Sequence, residues 1–176
     1  TDTLPAHLAQ GPAPLYLVVG DDERAKDEVL AAFVALVDPS LQALDVERFH
    51  GDADPADVVA AARTLPMLSE RRVILYLHVE RLFKTKKKAA ARDDQSDGGD
   101  EVSASDLAVL EAYVADAQPP NVLVLAGSSI NRTMRLGKLL DKHAVLVDCR
   151  GFDAEGGRPD AALREAMQFA VKQLRK

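Results

Sequence analysis

The chain has 176 residues, 47% of them hydrophobic, and a formal net charge of −6. That length suits one domain, or one domain and a fragment of another, with ample apolar residues for a core, and the negative balance excludes a surface that is basic all over and built for nucleic acid. The single cysteine, Cys149, excludes a disulfide framework and points to a reducing cytoplasmic setting, and no apolar run approaches the roughly 20 residues of a membrane-spanning helix.

Thr1 to Gln10 carries no basic-then-apolar signal pattern and no initiator methionine, as in a trimmed chain or a fragment. Pro14-Leu15-Tyr16-Leu17-Val18-Val19-Gly20 is a short apolar run closed by glycine, which predicts a strand buried on both faces. Asp21 or Asp22 can cap the helix that follows. Its apolar residues Val29, Phe33, Leu36 and Val37 share one face, and Asp38-Pro39-Ser40 ends it. Leu44-Asp45-Val46-Glu47-Arg48-Phe49 alternates, which predicts a half-exposed strand near a sheet edge.

Asp54-Pro55 is a cap followed by proline at the first helical position, and the helix it opens runs to about Arg63. Next come Leu65-Pro66-Met67-Leu68-Ser69-Glu70-Arg71-Arg72 and then the apolar strand Val73 to Leu77. Three large apolar residues at a turn need a reason, because connecting segments usually face water. Residues 84–106 hold a basic block (Lys84, Lys86, Lys87, Lys88), an acidic block and Gly98-Gly99, and predict a polar, mobile insertion.

Ser103 and Asp106 have the spacing of a capping box, and Leu107, Leu110, Tyr113 and Val114 make one helical face. Asn121 to Gly127 predicts a buried strand, Asn131 to Asp141 a short helix, and Ala144 to Asp148 the last strand. A final helix is predicted from Pro159 to about Arg175. Alternating strands and helices, with several strands continuously apolar, predict an α/β fold: a five-stranded parallel sheet with helices on both faces.

Such sheets bind ligands at the carboxyl ends of their strands. Phosphate binding there needs glycines that let backbone N–H groups approach, with a lysine and a hydroxyl. The first strand ends instead in Gly20-Asp21-Asp22-Glu23-Arg24-Ala25-Lys26, where three carboxylates repel phosphate. No phosphate-loop or dinucleotide motif occurs anywhere. His78 and Glu80 read more simply as rim residues of an alternating strand end than as an acid–base pair. His7, His50, His78 and His143 lack metal-ligand spacing, Asp52 and Asp54 fit helix capping, and Cys149 fits packing at a strand end. No catalytic site, metal or cofactor is expected.

Three stretches together resemble the N-terminal domain of the delta subunit of bacterial DNA polymerase III, a clamp-loader subunit: Pro14 to Asp22; Leu65 to Val73; and Pro119 to Leu125 with Asn131-Arg132 and Lys138 after it. The likeness runs from about Leu4 to Phe152. It implies an AAA+/P-loop-NTPase-like fold without a functional phosphate-binding loop, in a non-catalytic subunit of the polymerase holoenzyme that opens the beta sliding clamp. In that family apolar side chains after the second helix plug a clamp pocket, and by position these are Leu65, Met67 and Leu68. The last is usually phenylalanine, so Leu68 departs from the pattern. Arg71, Arg72, Lys86 and Lys87 are then candidate rim or DNA contacts. Residues 1–152 form the clamp-interacting domain on this resemblance, and residues 153–176 a linker and the first helix of a lid domain. The other loader subunits would be joined through a C-terminal domain absent from this chain. Two other readings stay open: an atypical nucleotide-binding ATPase, and a plain α/β interaction domain in which Leu65, Met67 and Leu68 are core.

Overall fold

The computed structural model describes residues 11–83 and 104–149, together with Leu4 and Leu8. The described residues form five strands: β1 (Leu15–Val19), β2 (Val46–His50), β3 (Val73–Leu77), β4 (Val122–Gly127) and β5 (Val145–Asp148). They make one sheet in the order β2-β3-β4-β1-β5, with every pairing parallel. The apolar runs occupy the centre: β3 and β1 are buried for four of five residues and β4 throughout. The edge strands β2 and β5 each leave some residues exposed, as the alternation in β2 predicted.

Helices cover both faces. The first helix, α1 (Glu23–Val34), packs Val29 and Phe33 against Tyr16, Val18, Leu75 and Val124, with Leu4 and Leu8 in the same cluster. On the other face α3 (Pro55–Arg63), α4 (Ala104–Ala115) and α5 (Arg135–His143) cover Leu15, Leu17, Ile74, Tyr76, Leu123 and Leu125. Alternate residues of one strand serve the two cores because strand side chains point to opposite faces in turn. Phe33, fully buried, meets the Tyr16 ring edge-on at 4.6 Å between centroids. Its truncation to alanine should cost about 3–5 kcal/mol.

Several boundaries differ from the sequence expectation. Leu44 and Asp45 are not strand; they lie in a helical turn, α2 (Gln42–Asp45), and β2 starts at Val46. That turn tucks Asp45 inside while Leu44 stays exposed. The helix α1 ends at Val34, although Val37 beyond it is still buried. The strand β3 ends at Leu77, so the alternation read through Glu80 fails: residues Val79–Phe83 form a 3-10 helix with Val79 buried. Residues Ala104–Asp106 belong to α4 rather than to the polar insertion, whose remainder lies outside the described residues, as does Ser103.

The helix after β4 begins at Arg135, not Asn131. Asn131 Oδ1 accepts the Thr133 N–H and hydroxyl, a local turn that competes with helix. Gly137 lets the Asn131 carbonyl approach where a Cβ would collide. The helix predicted from Pro159 also lies outside the described residues.

Candidate functional site

Two ends of the sheet offer sites. At the carboxyl end, β1 stops at Gly20, whose φ of +147° suits glycine, and Asp22 caps α1 by accepting the Ala25 N–H. A shallow pocket there is lined by Glu23, Lys26, Asp27, Leu30, Leu77, His78, Ala126 and Gly127. Its one lysine, Lys26, is buried and held by Glu23 at 2.7 Å. Two carboxylates and a lysine already paired leave little positive field for a phosphate. His78 has the left-handed φ of +58° and stacks on His50 at 5.9 Å. Glu80 lies 3.6 Å from His78 and accepts the Ser128 N–H. No group of three metal-binding side chains occurs among the described residues. Cys149 is buried at the end of β5, and burial pushes its thiol up.

The opposite end of the sheet carries the apolar turn. Asp54 caps α3 through the Ala56 N–H at 2.8 Å, with Pro55 next. The helix ends at Arg63, where Thr64 returns its N–H to the carbonyls of Ala60 and Ala61 and then turns extended. Pro66 excludes helix at Leu65, so the chain leaves outward. Leu65, Met67 and Leu68 are 71%, 72% and 70% exposed. That exposure removes the reading in which they are core residues. Three adjacent exposed apolar side chains of this size mark an interaction site more often than a plain surface.

Two buried polar residues hold this loop. Asn121, the residue before β4, donates its amide to the carbonyls of Ala62 (2.8 Å) and Thr64 (2.7 Å) and accepts the Arg72 N–H (3.2 Å). It therefore ties the two stems together. Asp45, wholly buried, lies under the tip. Its carboxylate accepts the Met67 N–H at 3.2 Å, the Ser69 N–H at 3.3 Å and the Ser69 hydroxyl at 2.7 Å. Successive N–H groups converging on an anion form a nest, here filled by the protein's own carboxylate. The Ser69 hydroxyl above all, and the loop N–H groups with it, hold the Asp45 carboxyl below the usual aspartate range despite its burial.

The arginines are engaged. Arg72 pairs with Glu47 at 2.8 Å and Arg71 with Glu70 at 3.3 Å. Arg72 Nε is buried with no partner among the described residues. Lys86 and Lys87 lie outside the described residues. The structure thus brings Leu65, Met67, Leu68, Arg71 and Arg72 onto one loop. It adds Asp45 and Asn121, which sequence reasoning missed. An aspartate in an alternating segment and an asparagine before a strand carry no local signal; their partners are 22 to 59 residues away.

The family model described as DNA polymerase III, delta subunit, matches residues 16–150. No curated protein matches the chain. Among solved structures, the chain is similar to the DNA clamp loader delta protein of Bacillus subtilis, with a TM-score of 0.68 and 23% identity over 85% of this chain and 42% of that one. It is also similar to a DNA polymerase III, gamma subunit-related protein of Thermotoga maritima, with a TM-score of 0.55 and 14% identity over 84% and 44% of the two chains. At these identities the likeness is one of fold, and the chain spans less than half the length of either structure.

Proposed function

The chain belongs to the DNA polymerase III delta subunit family, and on that premise we propose that it binds a sliding clamp through the Leu65–Leu68 loop and helps to open it during replication. The observation that carries this reading is the exposure of Leu65, Met67 and Leu68 on a loop braced from beneath. Apolar anchors entering a desolvated pocket dominate such contacts. The action is mechanical. Binding to one clamp protomer favours the open interface only to the extent that the loop binds the open clamp better than the closed one. No catalytic step on this chain is invoked. Residues 1–152 serve as the clamp-interacting domain, and residues 153–176 lead into a lid. Assembly with the other loader subunits, and any contact with DNA through Arg71, Arg72, Lys86 or Lys87, extend the same proposal. Phosphate contacts would be strongly salt-dependent.

Surface plasmon resonance against the cognate sliding clamp tests the reading. Each central anchor truncated to alanine should cost about 1–4 kcal/mol of binding, so the double variant Met67→Ala, Leu68→Ala should lose most affinity. Unchanged binding by that variant rules the loop out as the docking surface. Saturable ATP binding by calorimetry would favour the nucleotide-binding alternative instead.

A further inference from the structure

The loop presents its apolar side chains because its backbone is pulled inward. Met67 and Ser69 both point their N–H groups down into the Asp45 carboxylate. With those amides anchored, the side chains of Met67 and Leu68 stand in solvent. An unanchored loop of this composition would fold its apolar groups back against the protein, since burial of such side chains is favourable. The Leu68 N–H, between those of Met67 and Ser69, also bonds the Asp45 carboxylate, and Asp45 lies on α2, 22 to 24 residues away in sequence from the groups it holds.

We propose that Asp45 is a positioning residue that keeps the Leu65–Leu68 loop in its binding-competent shape before any partner arrives. This deepens, and rests on, the docking role proposed above. Ordering a segment beforehand removes that cost from the binding step. When only a fraction of molecules holds the competent shape, the apparent affinity falls by that fraction. Asp45 touches no partner in this scheme, so its loss should slow association and leave dissociation nearly unchanged. Truncation of an anchor should do the reverse and speed dissociation.

The test uses the whole chain, the variants Asp45→Asn and Ser69→Ala, and the cognate sliding clamp. Asparagine keeps the shape but replaces one acceptor oxygen by an amide that faces donors. Ser69→Ala removes the hydroxyl, which lies between Asp45 (2.7 Å) and the Arg71 carbonyl (2.6 Å), but keeps the Met67 and Ser69 N–H bonds, and so stays informative if Asp45→Asn fails to fold. Hydrogen exchange of the Met67 and Ser69 amides in the free protein should quicken at least about tenfold in Asp45→Asn, with the β3 amides unchanged. Clamp association should slow on the order of tenfold in that variant and less in Ser69→Ala. Wild-type amide exchange and wild-type association in both variants would overturn the proposal. A wild-type chain that ignores the clamp would overturn the docking reading alone, and amide exchange would still decide the role of Asp45.

Discussion

The side-chain amide of Asn121 donates to the carbonyl of Thr64 at 2.7 Å, joining the end of a helix to the start of a central strand. Its nitrogen also serves Ala62, and its oxygen takes the Arg72 N–H. The orientation is dictated by the partners: two carbonyls need a donor and one N–H needs an acceptor. Asn121→Ala leaves these groups short of partners in a buried setting and should cost about 2–4 kcal/mol. Asn121→Asp should be worse, because a carboxylate oxygen would then face two carbonyl oxygens. Urea denaturation of the three proteins checks the order, and an aspartate variant as stable as the wild type would contradict the network.

Asp45 gives a pH prediction. The Ser69 hydroxyl bond, helped by those of the loop N–H groups, outweighs burial and holds its folded-state pKa below the ordinary value of 3.8. A depressed carboxyl contributes stability that is present above the unfolded value and is lost as pH falls through the folded one. Asp45→Asn should therefore be less stable than the wild type near neutral pH, by about 1–3 kcal/mol. The gap should narrow below 3.8. Denaturation curves at neutral pH and at about pH 3 measure this, and a constant gap would assign the loss to packing instead of charge.

Two buried tyrosines should respond oppositely to loss of the hydroxyl. Tyr76 donates to the Ala53 carbonyl at 2.9 Å, and burial pushes its hydroxyl far up in pKa. Tyr113 is buried near the Arg63 guanidinium, and its hydroxyl has no partner among the described residues. Tyr76→Phe should destabilise by about 1 kcal/mol, while Tyr113→Phe should be neutral or stabilising by a similar amount. Thermal melts compare them directly.

If Leu68 is the clamp anchor proposed above, the family resemblance gives it the place of a phenylalanine. The larger ring carries more apolar surface, and at ~25 cal/mol per Å² the gain on entering a pocket is on the order of 0.5–1 kcal/mol. Leu68→Phe should bind the clamp about threefold more tightly. Weaker binding would mean that the partner's pocket is shaped for leucine.

Most of the architecture was legible along the chain. The central strands are continuous apolar runs such as Val73 to Leu77 and Val122 to Gly127, and a strand buried on both faces needs no other code. Asp54-Pro55 marked its helix to the residue, because capping is a local hydrogen bond. Boundaries failed where local competition is close, as at Asn131 and at the turn around Asp45.

By itself, then, the sequence determined the parallel sheet, the absence of a phosphate loop, and the position of an apolar turn between α3 and β3. Those features are periodic or local, and each depends on residues a few places apart. Only the tertiary structure decided that Leu65, Met67 and Leu68 face solvent, that Arg72 is tied to Glu47, and that Asp45 and Asn121 hold the loop. An apolar residue at a turn can be core or surface. Its fate rests on which buried polar group claims the backbone beside it, and here those groups arrive from distant parts of the chain.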